Sequence, residues 1–115
     1  MNGITAEELE LLSFFEVEPT RADPGIPWPY NDLTYKVELG SYAVVFGIAP
    51  SYPDLSFSIS HNGSEIYSFT GLAIKDVRFH KNQDFETLEI VISDKDAIWL
   101  RLRPTIMITQ RAGEA

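Results

Sequence analysis

Apolar and polar side chains alternate along most of the chain after residue 34, and the clearest stretch reads DLSFSISHNGSEIYSF, residues 54–69. Leu55, Phe57 and Ile59 alternate there with serines. Because successive side chains of a β-strand point to opposite faces, the apolar residues share one face and the serines share the other. Asn62-Gly63 follows, a pair that tolerates the positive φ of a tight turn. The stretch therefore predicts a β-hairpin.

Two registers fit this hairpin, and they differ in where its aromatic residues lie. With a two-residue loop at Asn62-Gly63, Tyr67 and Phe69 fall on the serine face. With a three-residue loop that begins at His61, Tyr67 lies opposite Phe57, and both aromatic residues of the second strand face the core. We prefer the three-residue loop because aromatic cross-strand pairs stabilise a sheet by roughly 0.2–1 kcal/mol each.

The alternation continues before the hairpin. Gly40-Ser41 is a two-residue turn with glycine first, and it pairs Tyr35 with Phe46. The loop from Pro50 to Pro53 then pairs Phe46 with Phe57. Both turns bring large apolar residues to the same face, so three consecutive antiparallel strands are predicted here.

The second half of the chain continues as strands. Thr70-Gly71 is interpreted as another turn, and a change of parity after it predicts a β-bulge near Lys75-Asp76. A three-residue loop at residues 94–96 predicts that Ile90 pairs with Leu100. Residues Thr105 to Gln110 are predicted to form the last strand, either as a bent continuation of the preceding strand or as a separate edge strand. The predicted number of strands is therefore seven or eight.

A helix is predicted near the start, over residues 5–16. Thr5 and Glu8 have the spacing of a capping box, and Leu12 and Phe15 belong to an apolar stripe. A helix this short is marginal alone, so it must pack on the sheet. The fold class is therefore mainly β: an antiparallel meander that forms a sandwich or barrel, with one N-terminal helix packed on it. The single domain, residues 1–115, divides into a helix (5–16), a Pro-rich connection (17–33) and antiparallel strands (34–110).

Composition narrows the function classes. The net charge of −8 argues against nucleic acid and anionic membranes as partners, and favours a basic partner or simple solubility. The absence of cysteine excludes disulfides and thiolate chemistry. No apolar run approaches the ~18 residues of a membrane span, and the N-terminus lacks the pattern of a signal peptide. We expect a cytoplasmic protein.

Candidate catalytic residues are sparse, and no motif identifies a known family. His61 and His80 lack a second ligand at metal-binding spacing, so neither a metal nor a cofactor is expected. Asp76, Arg78 and His80 share one strand face, which is more often a solvated surface than a catalytic site. We therefore expect a protein that is not an enzyme.

The Pro-rich connection is long enough to be functional. Its aromatic residues, Trp28 and Tyr30, have two interpretations: they anchor the loop by burying their rings, which we prefer, or they form an exposed contact surface. For partner binding the candidate residues are Trp28, Tyr30, Asp32 and Trp99.

One flat surface on the outer side of the predicted sheet is unusual. It consists of small and apolar residues and is named the small-residue patch: Ala43, Val45, Gly47, Ala49, Ile66 and Ser68. We expect the N-terminal helix to cover it. The alternatives are a partner protein, or a homodimer through this face or through an edge strand.

Size, acidity and the lack of a catalytic motif favour a non-catalytic protein-interaction module with a basic macromolecular partner. An immunity or inhibitor protein that neutralises a toxin and an assembly adaptor are examples of that class. The alternative is a carbohydrate- or small-ligand-binding module in which Trp28, Tyr30, Tyr52 and Trp99 form an exposed stacking platform. A small enzyme is the third hypothesis.

Overall fold

The computed structural model describes residues 3–113 and has a mainly β fold, as predicted. Two antiparallel sheets enclose one hydrophobic core, and one α-helix packs against that core. The elements, in chain order, are α1 (Glu8–Phe15), β1 (Thr20–Arg21), a 3₁₀ turn (Trp28–Tyr30), β2 (Leu33–Leu39), β3 (Tyr42–Ala49), β4 (Asp54–His61), β5 (Ser64–Gly71), β6 (Asp76–Lys81), β7 (Glu86–Val91), β8 (Ala97–Arg101) and β9 (Met107–Arg111). No helix among these is long and apolar enough to cross a membrane.

The strands divide into a five-stranded first sheet, in the order β1 to β5, and a four-stranded second sheet, in the order β6 to β9. Each sheet is a meander, because every strand pairs with its neighbour in sequence. The nine strands exceed the predicted seven or eight because the Pro-rich connection contains β1, in which Thr20 pairs with Thr34. The described strands form two separate sheets, so the meander does not close into one barrel.

The pairings predicted from the first two turns are confirmed. Tyr35 pairs with Phe46 across β2 and β3, and Phe46 pairs with Phe57 across β3 and β4. Gly40 begins the first turn with a φ of 65°, a conformation that glycine adopts without strain. Local turn chemistry and the alternation of apolar residues therefore determine the centre of the first sheet.

Neither predicted register describes the whole β4–β5 hairpin. At the turn His61 pairs with Ser64, as a two-residue loop requires. A register shift just beyond it then places Tyr67 opposite Ile59, not opposite Phe57 as we predicted. The bulge turns Tyr67 back toward the core, where its ring centroid lies 5.5 Å from that of Phe57. The predicted face was correct and the predicted partner was wrong.

The turn predicted at Thr70-Gly71 and the bulge predicted near Lys75-Asp76 are both absent from the structure. Strand β5 continues through Gly71, and the chain then crosses to the second sheet, where β6 begins at Asp76. The change of parity in the sequence therefore marks a crossover between sheets. A bulge and a crossover shift the alternation in the same way, which is why the pattern alone did not separate them.

The β7–β8 hairpin is also shifted by two residues from the prediction. Ile90 pairs with Ile98 and not with Leu100. The turn is centred on Asp94, one residue earlier than the predicted centre at Lys95. The backbone N–H groups of Ile92 and Ser93 close it by donating to the Asp96 carbonyl at 2.9 and 3.1 Å, and the Ser93 hydroxyl donates to the Asp96 carboxylate at 2.7 Å. The last strand starts at Met107, two residues later than predicted, and pairs with β8.

The helix begins at Glu8, three residues later than predicted. Thr5 does not cap it: its backbone N–H donates to the Asp76 carboxylate at 2.7 Å and its hydroxyl donates to the same group. Glu7 is the residue that precedes the helix, and its N–H donates to the Glu10 carboxylate at 2.9 Å. The capping box therefore forms between Glu7 and Glu10, two residues later than the spacing suggested, and Thr5 binds the distant Asp76 carboxylate.

The helix packs on the inner side of the first sheet, not on the small-residue patch. Phe15 is fully buried, and its ring stacks on Tyr35 at 4.5 Å and contacts Phe46 at 4.9 Å. Both partners belong to the core face. The expected cover of the patch by the helix is therefore wrong, and Val45 and Ile66 remain 40% and 58% exposed.

Candidate protein-binding surface

Three segments meet at one end of the first sheet, and we call this surface the loop end: residues 3–8, 23–32 and 50–53. The Ser51 hydroxyl donates a hydrogen bond to the Pro29 carbonyl, which joins the β3–β4 loop to the Pro-rich connection. A cleft of about 320 Å³ lies between the segments. Its lining includes Ile4, Glu7 and Trp28. The loop end is therefore a surface whose segments contact one another around a cleft.

Asn31 holds the Pro-rich connection in shape and is the only buried polar residue among residues 3–113. Its amide nitrogen donates to the carbonyls of Asp23 and Ile26 at 2.6 and 2.9 Å. Its amide oxygen accepts from the backbone N–H groups of Asp23 and Asp32 at 3.2 and 2.9 Å. One side chain thus satisfies four backbone groups of a loop that has little regular structure.

Trp28 anchors this loop, since its side chain is only 8% exposed. Its indole N–H donates to the Tyr35 hydroxyl at 3.3 Å. Burial raises the pKa of Tyr35 above its ordinary value, against the hydrogen bond from Trp28, so the phenol is neutral and able to accept this bond. Trp28 is therefore the floor of the cleft and not an exposed contact, in line with the interpretation that we preferred.

The side chains around Trp28 point to solvent. Tyr30 is 63% exposed and Tyr52 is 71% exposed, on the two segments that the Ser51–Pro29 bond joins. Asp32, just after Asn31, is exposed as well. Tyrosine is enriched at protein-binding hot spots because it offers a large, rather rigid contact area with a polar tip. The loop end presents this chemistry together with carboxylates.

Trp99 belongs to a different surface. It lies on β8 in the second sheet, paired with Glu89 and Thr109, and the Arg111 guanidinium lies 5.5 Å from its ring centroid. Since Trp28 is buried and Trp99 is on the other sheet, the stacking platform of four exposed aromatic rings, which belonged to the alternative hypothesis, is not formed. Of the four predicted contact residues, Tyr30 and Asp32 are exposed on the loop end.

The predicted constellation on β6 is engaged in structural contacts. Arg78 donates to Asp76 at 3.1 Å, and His80 lies 2.8 Å from Glu89 across the strand pair. Burial alone raises the pKa of Asp76, but hydrogen bonds from Thr5, Val77 and Arg78 together outweigh it and hold that pKa below the ordinary value. No group of three or more potential metal-binding side chains is found in residues 3–113.

A second cleft, of about 610 Å³, lies elsewhere, between the β6–β7 loop and the end of α1. Arg103 in its wall donates to the carbonyls of Phe14 and Phe15 at 2.9 and 3.3 Å. These are carbonyls of the last turn of α1, where a cation interacts favourably with the helix dipole. Lys81 lies 3.7 Å from Glu86. Arg103 and Lys81 are thus engaged in contacts within the chain.

Charge is distributed unevenly along the chain. Residues 1–65 carry ten acidic and two basic side chains, whereas residues 66–115 carry seven of each. The net charge of −8 therefore resides in the part that contains α1 and most of the first sheet, including the loop end. Its acidic residues there are Glu7, Glu8, Asp23 and Asp32. The uneven distribution of charge can be read from the sequence, but the net charge of the whole chain does not reveal it.

The fold and the loop end define a class: a small mainly β protein with an acidic, tyrosine-bearing surface and a charge-balanced second sheet. No family model matches the sequence, and no curated protein matches it. The structure is similar to a chain from the contact-dependent growth inhibition toxin–immunity protein complex of Klebsiella pneumoniae 342. The TM-score is 0.75 with 20% sequence identity, over 96% of this chain and 97% of that chain. At this identity the likeness shows a shared fold.

Proposed function

We propose that this chain is an immunity-type inhibitor, a protein-interaction module that binds a toxin and blocks it. The observation that carries the proposal is the end-to-end likeness to a chain from a toxin–immunity protein complex. A fold shared over nearly the whole of both chains is compatible with a shared mode of action, and fold alone does not fix function. The surface chemistry supplies the remaining support.

The partner is a basic protein. The negative charge lies in the first 65 residues, and an acidic surface accelerates association with a basic partner and disfavours acidic ones. Among the acidic residues of the loop end, Glu8 already pairs with Arg21 at 2.8 Å, whereas Asp32 is exposed. Asp32 is therefore the carboxylate that we assign to the partner's lysine or arginine.

The contact centres on the exposed tyrosines of the loop end. Tyr30 and Tyr52 supply the apolar area, and Trp28 and Asn31 hold their loop in position from beneath. Inhibition needs no chemistry from this chain, because a rigid surface seated over the working site of a toxin excludes its substrate. The mechanism is thus steric and electrostatic occlusion.

Calorimetric titration of the purified chain with the protein encoded by the adjacent gene, which we take as the toxin, tests this assignment. Asp32→Lys is expected to weaken binding by about tenfold or more, because it places a cation against a basic partner. Asp84→Lys is the matched control: it makes the same change in net charge on an exposed residue of the β6–β7 loop in the second sheet. Its effect is expected to be less than about threefold.

Equal weakening by the two substitutions would show that only the total charge matters, and would remove the loop end as the binding site. Absence of any binding by the unmodified chain would remove the proposed function itself.

A further inference from the structure

Leu72, in the crossover between β5 and β6, is one of the most exposed apolar side chains of the molecule. Within residues 3–113, only four large apolar or tyrosine side chains are more than 60% exposed: Leu9, Tyr30, Tyr52 and Leu72. Tyr30 and Tyr52 belong to the loop end, and Leu9 directly follows its first segment. The position of the crossover relative to the loop end therefore decides whether the four share one surface.

Backbone N–H groups hold this crossover against the loop end. The N–H of Ile74 donates to the Pro53 carbonyl at 3.1 Å, and the N–H of Ala73 donates to the Asp54 carboxylate at 2.8 Å. Pro53 belongs to the β3–β4 loop, which a further hydrogen bond joins to the Pro-rich connection. The strand order places this loop between the Pro-rich connection and the crossover, so the exposed surface is continuous across all three.

The conformation of the crossover is one that its sequence does not favour. Ala73 has a φ of 51°, in the left-handed region, which costs free energy for a residue that carries a Cβ atom. The chain here buries Ile74, at 4% exposure, and leaves Leu72 in solvent at 75%. Gly71 is required beside it, because a Cβ atom there would lie 2.6 Å from the Ile74 side chain. Backbone strain that persists in a folded protein is concentrated at functional sites, and here it accompanies a displayed leucine.

Charge indicates what kind of molecule covers this surface. A second copy of the chain is disfavoured, because each copy carries a net charge of −8. The acidic loop end favours a basic protein, which is the partner proposed above. Protein interfaces have an apolar centre and a polar rim, and apolar anchors fill recesses on the partner. Exposed tyrosines and a leucine beside carboxylates therefore match a surface in which basic residues surround an apolar recess.

We infer that Leu72 is an apolar anchor of the partner-binding surface and inserts into a hydrophobic recess within the basic surface of the toxin. The inference rests on the proposed function and adds to it a contact from the crossover and the chemistry of the partner's surface. Tyr30, Tyr52 and Leu72 then form one row across the end of the first sheet. This row selects a partner by its apolar shape, whereas Asp32 selects it by charge.

Binding kinetics with the protein encoded by the adjacent gene test the anchor. Leu72→Ser is expected to raise the Kd by about tenfold or more, mainly through faster dissociation, because apolar contacts act after the encounter. Ile66→Ser is the matched control, since Ile66 is 58% exposed and lies toward the opposite end of β5. Its effect is expected to stay below about twofold. Leu72→Met keeps an apolar side chain of similar size and is expected to bind within about threefold of the unmodified chain.

Salt separates the anchor from the electrostatic contact. Added NaCl is expected to reduce the effect of Asp32→Lys and to leave that of Leu72→Ser unchanged, because salt screens charges and not apolar contacts. Circular dichroism is expected to show that every variant is folded. If the unmodified chain binds and Leu72→Ser binds equally well, or no worse than Ile66→Ser, the anchor is wrong and the proposed function stands. Absence of binding by the unmodified chain overturns both.

Discussion

At the scale of single residues, Asn31 is the side chain on which the loop end depends most. Its four hydrogen bonds go to backbone groups that have no strand to pair with. In the sequence it looks like one more polar residue of a loop. Its bond to the Asp32 N–H joins adjacent residues, but the bonds to Asp23 and Ile26 depend on how the loop folds back. Burial of Asn31 was therefore not predictable.

Substitution of Asn31 measures its contribution. Asn31→Ala is expected to lower the free energy of unfolding by about 2–4 kcal/mol, since it leaves backbone groups in a partly buried loop without partners. Asn82→Ala is the control, because Asn82 accepts from the N–H groups of Asp84 and Phe85 in an exposed loop where water replaces it. Its cost is expected to stay below about 1 kcal/mol. Urea unfolding compares the two, and equal costs would contradict the role assigned to Asn31.

Aromatic residues illustrate what sequence reasoning does and does not resolve at this scale. Trp28 and Tyr30 are separated by one proline, yet Trp28 is buried and Tyr30 is exposed. The difference arises from the 3₁₀ turn, which directs Trp28 toward the Tyr35 hydroxyl. Composition predicted an aromatic loop, whereas the orientation of each ring depends on a tertiary contact. The assignment of Tyr30 and Asp32 to partner binding stays a prediction.

At the scale of elements, turns were predicted well where their chemistry is local. Gly40-Ser41 led to the correct β2–β3 register because the turn type and the apolar alternation agree. The β7–β8 register was wrong because the turn is centred on Asp94, one residue earlier than predicted, and is closed there by bonds between Ser93 and Asp96. The alternation of apolar and polar residues determines which side chains share a face of the strand. A register shift of two residues keeps every side chain on the same face, so the alternation does not reveal it.

The N-terminal segment is held to the second sheet by Asp76, and this contact makes stability depend on pH. Burial raises the pKa of Asp76, but hydrogen bonds from Thr5, Val77 and Arg78 together hold that pKa below its ordinary value of 3.8. A carboxyl group whose pKa is depressed by folding stabilises the protein above its unfolded pKa, and that contribution is lost as the pH falls through the folded pKa. The contribution of Asp76 is therefore present at neutral pH and lost below about pH 4.

Unfolding experiments at two pH values test this link. Asp76→Asn is expected to be less stable than the unmodified chain at pH 7, with a clearly smaller difference at pH 3. Asp84→Asn reports the general effect of losing one negative charge from an exposed loop. A stability difference for Asp76→Asn that is the same at both pH values would show that the Thr5 contact does not depend on ionisation.

At the scale of the whole molecule, the mainly β class followed from alternation alone, whereas the division into two sheets did not. The segment between β5 and β6 crosses from one sheet to the other, and its sequence, with Leu72 exposed and Ile74 buried, resembles an interrupted strand. Which strands pair after such a crossover depends on contacts distant in sequence. The position of α1 was not predicted, because it also depends on contacts distant in sequence: Phe15 packs on Tyr35 and Phe46 on the core face.

The acidic first 65 residues and the balanced remainder give the molecule two different sides. The loop end lies in the acidic part, and the second sheet neutralises its own charges through pairs such as Arg78–Asp76 and Lys75–Asp94. A one-sided charge distribution orients a basic partner before contact and raises the association rate. The uneven charge thus connects the fold to the proposed inhibition.

Growth of cells that express the protein encoded by the adjacent gene, which we take as the toxin, with and without this chain, tests the central claim most directly. The account predicts growth arrest by the toxin alone and restored growth when the chain is co-expressed, with restoration lost for Asp32→Lys and kept for Asp84→Lys. Continued arrest in the presence of the folded chain would contradict the account. Growth arrest caused by the chain alone would assign it to the toxic half of such a pair.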